Sequence, residues 1–154
     1  FNFALNHTET EVDSWNPDII SDTRIRQLEE NVPQDRGTFT MNHSRDNWNV
    51  LARLNYYGEF FEAHLDDGSL PIDGDSEVTV DAEFGYEVSD ALRLSIGAKN
   101  LFDEYPTDLT QVYFDPANPS AGNYAQDVVG AKYPPTSPMG FNGRFLYLKA
   151  NYSF

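Results

Sequence analysis

Few residues in this chain are arranged for bond-making chemistry. His7, His43 and His64 lie far apart with no ligand spacing, and there is no cysteine, so neither a thiolate metal site nor a disulfide is available. No serine, histidine and acid are spaced to suggest a nucleophile with its base. Asp66, Asp67, Asp73 and Asp75 form an acidic tip. They do not follow the D-x-[DN]-x-[DN]-G spacing of a calcium loop, so turn formation is their simpler role. What remains is recognition chemistry. Between Glu104 and Asn142, Tyr105, Tyr113, Phe114, Tyr124 and Tyr133 are set among Asp and Asn, a mixture suited to a sugar or an aromatic chelate and equally to a surface loop packed on its own rings. No metal or other cofactor is called for, and no enzyme activity is expected.

The elements that hold these residues read as strands. In the stretch from Arg144 to Phe154, Leu146, Leu148, Ala150, Tyr152 and Phe154 fall on one face, and Phe145, Tyr147, Lys149, Asn151 and Ser153 on the other. Glu77 to Val88 sets Val78, Val80, Ala82, Phe84, Tyr86 and Val88 against Glu77, Thr79, Asp81, Glu83, Gly85 and Glu87. Leu92 to Asn100 continues with Leu92, Leu94, Ile96 and Ala98 against Arg93, Ser95, Gly97 and Lys99. Trp48 to Phe60 alternates likewise, with Leu51 out of place on its polar face. Phe1, Phe3 and Leu5, then Phe39 and Met41, supply two further strands, for about six in all. Repeated alternation over roughly ten residues is the pattern of transmembrane β-strands.

Turn chemistry predicts how they pair. A three-residue loop Ser89-Asp90-Ala91 puts Tyr86 opposite Leu94, Phe84 opposite Ile96, Ala82 opposite Ala98, Glu87 opposite Arg93 and Asp81 opposite Lys99. A turn at Arg45-Asp46 puts Met41 opposite Val50 and Thr38 opposite Arg53. Both tight turns then lie at one end of the sheet. Residues 14–36, 63–76 and 104–142, rich in Pro, Asp, Asn and Gly, form long loops at the other. A short helix is expected at Thr23 to Asn31. Trp48, Tyr86, Tyr152 and Phe154 gather on the apolar face near the short-turn end, as in an interfacial girdle, although aromatics also favour strands generally.

Composition sets the outer bounds. The chain has 154 residues and a formal charge of -15, which argues against a nucleic-acid partner. No segment approaches the roughly 18 apolar residues of a membrane helix, and the mean hydropathy of -0.56 averages away any apolar face hidden in alternation. Beginning on Phe1 without a signal peptide, the sequence reads as the C-terminal piece of a longer protein.

The motifs resemble the C-terminal part of a TonB-dependent outer-membrane receptor. The resemblance rests on GAKNLFDEY, with Gly97, Asn100, Leu101, Phe102, Asp103 and Tyr105, one long loop before a final aromatic strand with Tyr147, Leu148, Ala150, Tyr152 and Phe154. The segments Asn55 to Ile72 and Gly130 to Phe145 are similar to the family as well. The resemblance implies an all-β fold: an antiparallel transmembrane β-barrel fragment, about the last six strands of a barrel of about 22. It implies a bacterial outer-membrane location and TonB-dependent uptake of a scarce solute such as a ferric chelate, a vitamin or an oligosaccharide. Its partners would be outer-membrane lipid, the barrel-assembly machinery reading the terminal strand, a plug domain, and the TonB complex acting through an N-terminal region outside this chain. Arg53, Asp81, Glu83, Glu87, Arg93 and Lys99 would face the lumen, and Tyr113, Phe114, Tyr124 and Tyr133 would lie in a loop open to substrate. Two other readings share the alternation: a passive porin, and a soluble β-sandwich carbohydrate-binding module, which would bury its apolar face under a second sheet and need no detergent.

Overall fold

A computed structural model describes residues 1–63, 71–109 and 132–154. Its main body is one antiparallel sheet of six strands in the order β1 (Asn2–His7), β2 (Asp35–Arg45), β3 (Trp48–Tyr57), β6 (Glu77–Ser89), β7 (Leu92–Lys99) and β8 (Phe145–Tyr152). The sheet is open. A two-stranded hairpin, β4 (Phe60–Ala63) with β5 (Pro71–Gly74), and one helix, α1 (Asp22–Glu30), sit in the long connections.

The registers place every alternating set on a common side. Tyr86, Phe84 and Ala82 pair with Leu94, Ile96 and Ala98 as the turn chemistry predicts, and Glu87 stands opposite Arg93. The row continues without a break: Val50 opposes Phe84, and Ile96 opposes Leu148. At the far edge Phe3 opposes Phe39 and Phe39 opposes Leu54. One face of the sheet is therefore mainly apolar across all six strands, interrupted at the ends of β1 and β2 by the His7 and Asp35 pair and by His43 and Arg45, and no second sheet covers it among the described residues. Phe84 is 45 % exposed, Ile96 61 % and Leu148 75 %.

Two expected hairpins differ in detail. Ser89 pairs with Leu92, leaving a two-residue turn at Asp90-Ala91, and the register shifts between Glu87 and Ser89 so that Val88 is bulged. The Ser89 hydroxyl accepts from Leu92 N at 3.2 Å, which draws Ser89 into the end of the ladder. In the earlier hairpin Met41 faces Ala52 rather than Val50, and Thr38 faces Asn55 rather than Arg53. The turn is Asp46-Asn47, with Asp46 at φ 50°. A left-handed residue is better supplied by Asp than by Arg, and the slip of two positions preserves which face each side chain occupies.

The two tight turns share one end of the sheet, and the three long connections share the other. The most buried apolar side chains are at the long-connection end, outside the sheet: Phe61, Ile72 and Leu109, at 2 %, 0 % and 0 % exposure, with Phe60, Ile25 and Pro134. Helix α1 begins where Ser21 accepts from Arg24 N at 3.2 Å, one residue ahead of the expected start. It packs on β4, and Gln27 and Asn31 donate to the Ala63 and Phe61 carbonyls at 3.1 and 3.2 Å. The strand expected from Trp48 to Phe60 ends at Tyr57, and Phe60 begins β4 instead; β4 is buried on both sides and shows no alternation, while β5 falls where loop was expected, too short to show a period.

Candidate functional site

The polar face of the sheet carries the side chains expected to line a lumen. Arg53, Asp81, Glu83, Glu87, Arg93 and Lys99 all lie on it by register, and several are tied into a network. Glu83 accepts from Tyr147 Oη at 2.7 Å and pairs with Lys149 Nζ at 2.6 Å. Arg93 donates to Asn49 Oδ1, and Arg53 Nε to Thr40 at 3.2 Å. Asn55 Nδ2 reaches both Thr79 and Asp81, at 3.2 and 3.3 Å.

Both expected cross-strand ion pairs are replaced by other contacts. Glu87 and Arg93 are opposite, but Arg93 turns to Asn49, and among the described residues no ion pair joins it to Glu87. The β6–β7 ladder stops at Ala82 and Ala98, one step short of Asp81 and Lys99, and Asp81 accepts instead from Asn100 N at 3.0 Å. Leu51, the apolar intruder, does stand between Asn42 and Glu83 on the polar face.

Glycine makes the longer reaches possible. Gly97 stands between Glu83 and Tyr147 in the same row, and a Cβ there would collide with the Tyr147 ring. Gly85 likewise lies beneath the contact between Arg93 and Asn49, where a Cβ would meet the Asn49 amide oxygen. A glycine inside a strand can mark such a close approach, the one sequence signal that could have revealed these contacts.

The Asn100-to-Tyr105 motif is a strand-exit knot. Asn100 (φ 49°) and Asp103 (φ 65°) are both left-handed. The Asn100 amide donates to Glu104 O at 2.7 Å and accepts from Glu104 N at 2.9 Å. Leu101 N bonds Val80 O at 2.7 Å, and Asp103 accepts from Arg144 N at 2.7 Å. The end of β7 is thus fastened to β6 on one side and to the start of β8 on the other. Phe102 remains exposed. Tyr105 stacks on Tyr133 with ring centroids 5.2 Å apart. The negative Asp103 beside it raises the Tyr105 phenol above the ordinary range. Lys132, bonded to the Tyr133 hydroxyl at 3.1 Å and to Asp108 at 3.2 Å, is likewise held above the usual lysine value.

Of the four aromatics expected to meet substrate, Tyr133 joins this clasp; Tyr113, Phe114 and Tyr124 lie outside the described residues, as do His64, Asp66 and Asp67. Asp73 pairs with Arg26 at 2.6 Å, and Asp75 N and carboxylate meet the Thr107 hydroxyl at 3.0 and 3.3 Å. These acids fasten loops together, and no group of three or more potential ligands for a metal ion occurs among the described residues. In the terminal strand Leu148, Ala150 and Tyr152 are on the apolar face and Tyr147 is on the polar one, while Phe154 meets Tyr152 edge-on at 5.1 Å.

Where the polar face meets the long connections there is a hollow of about 490 Å3, bounded by Asn55, Tyr57, Asp81, Lys99, Asn142 and Phe145. No family model, curated protein or solved structure matches the chain.

Proposed function

We propose that this chain is the wall and outer-loop portion of a bacterial outer-membrane β-barrel that takes up a scarce solute in the manner of a TonB-dependent receptor. The observation that carries the reading is the mainly apolar face of the six-stranded sheet, exposed from Phe3 to Leu148 and broken only at the ends of β1 and β2, opposite a face cross-linked by polar contacts. In water such a face would be a large hydrophobic liability, whereas against lipid it is the required surface. The edges agree. β1 and β8 each have a neighbour on one side only, and unpaired backbone groups at membrane depth must be satisfied by further strands. Short turns at one end and long, packed connections at the other match periplasmic and exterior sides. On this reading the polar face looks into the lumen toward a plug domain, the terminal strand is read by the assembly machinery, and coupling to the TonB complex lies in a region outside the chain.

The reading is tested with Trp48, which sits on the apolar face beside Phe84 at a ring distance of 6.5 Å. In a Trp15→Phe background Trp48 is the remaining tryptophan. The chain is refolded into vesicles of brominated phosphatidylcholine, where Trp48 fluorescence should be strongly quenched. An unquenched Trp48, together with a monodisperse monomer in detergent-free buffer, would replace the barrel wall with a soluble β-sheet module.

A further inference from the structure

We propose that the hollow on the polar face binds a small, polyhydroxylated monocarboxylate, a sugar acid, with Lys99 Nζ holding its carboxylate. The inference rests on the outer-membrane uptake reading and gives that site a substrate class. Asp81 accepts from Asn55 Nδ2 at 3.3 Å and from Asn100 N at 3.0 Å, so its carboxylate is partly satisfied by the protein. The Asn100 amide is fully turned toward Glu104. Lys99, at the last position of β7, is exposed, and among the described residues its ammonium has no ion-pair partner. Tyr57 and Asn142 also line the hollow, and neither side chain has a hydrogen bond to a described residue. Three residues able to donate hydrogen bonds therefore border one space, and one of them carries a full positive charge.

Charge and size narrow the occupant. Lys99 repels a bare cation and favours a carboxylate through a charge-assisted hydrogen bond. Asp81, on the same wall, penalises a second negative charge and offers its remaining lone pairs to ligand hydroxyls. A single carboxylate on a chain of hydroxyls satisfies both. Phe145 supplies a flat apolar wall for the carbon skeleton of such a ligand. A volume of about 490 Å3 is within the range of small-molecule sites.

The probes are gluconate and glucose, similar in size and hydroxyl content and different in charge. Each is titrated calorimetrically into the chain folded in detergent micelles. Gluconate should bind about tenfold more tightly than glucose, the worth of one charged hydrogen bond. Lys99→Gln should abolish that preference, and Lys99→Arg should keep most of it. Equal affinities for the two probes, or a preference that survives Lys99→Gln, would overturn the site. The same samples are checked for their need of detergent. A chain monomeric without detergent that still prefers gluconate keeps the site and loses the membrane reading. One that needs detergent and shows no preference loses the site alone.

Discussion

Tyr147 donates to Glu83 at 2.7 Å from two strands away, passing over β7 at the one position in that row, Gly97, that has no side chain. The same carboxylate takes Lys149 at 2.6 Å, so β6 and β8 are joined directly although they are not neighbours. Gly97→Ala should displace the Tyr147 ring and cost about 1–3 kcal/mol, the range for stranding a hydrogen-bonded group. Tyr147→Phe, which leaves the ring and removes the donor, should cost about 1 kcal/mol. Urea titration of the folded chain in micelles ranks them, and a Gly97→Ala effect no larger than that of Tyr147→Phe would contradict the steric account.

The Glu83 and Lys149 pair should contribute less than its short distance suggests. Lys149 is half exposed, and exposed ion pairs contribute about 0.2–1 kcal/mol. A double-mutant cycle with Glu83→Gln and Lys149→Met should give a coupling within that range that shrinks in high salt. A coupling unaffected by salt would point to a drier lumen face.

The apolar face should reject charge where the polar face accepts it. Ile96→Lys, in the central row between Phe84 and Leu148, should destabilise the chain in bilayers by about 2–4 kcal/mol. Arg93→Lys, one face over, should cost far less. Reversible unfolding from lipid vesicles measures both, and equal costs would remove the distinction between lipid and lumen sides.

Asn100 should matter through its backbone as much as through its amide. At φ 49°, Asn100→Ala loses both Glu104 bonds and strains the left-handed turn, for about 2 kcal/mol or more. Asn100→Gly restores the conformational ease alone and should recover roughly half of that loss. If Asn100→Gly were no better than Asn100→Ala in urea titration, the left-handed geometry would not be what selects Asn there.

The loop clasp should hold through neutral and moderately alkaline pH. Tyr105 and Lys132 both have raised pKa values, so folding favours their protonated forms. Any stability from this is present below the unfolded-state values near 10 and is lost as pH rises through the folded ones. Ultraviolet difference spectra should show Tyr105 ionising later in the wild type than in Asp103→Asn. Coincident titrations would sever Tyr105 from the Asp103 charge.

Much of the sheet was legible because alternation is a property of single strands, and Phe84, Ile96 and Leu148 needed only to be counted. The β6–β7 register followed from turn length because even a wrong loop count, three residues for two, was absorbed by the bulge at Val88. The β2–β3 register had no such compensation, and the choice between Arg45 and Asp46 as the first turn residue moved Met41 by two partners. Side-chain partners were the least legible. Opposite charges at Glu87 and Arg93 look paired in a register, but a long side chain beside Gly85 can reach a third strand. The buried cluster around Phe61 and Ile72 left no periodic trace, since contacts made from several loops are not ordered along the chain.

Each strand of the six-stranded sheet lies beside the next sheet strand along the chain, and no connection crosses another strand pair. The hairpins at Asp46-Asn47 and Asp90-Ala91 are short, so the variable lengths are confined to one rim. Doubling a loop adds only about 0.6 kcal/mol of closure cost. Grafting a foreign segment between β3 and β6 or between β7 and β8 would therefore leave the strand registers intact. The rim can diverge from one lineage to another faster than the staves beneath it, and a new specificity can arise without the staves being rebuilt.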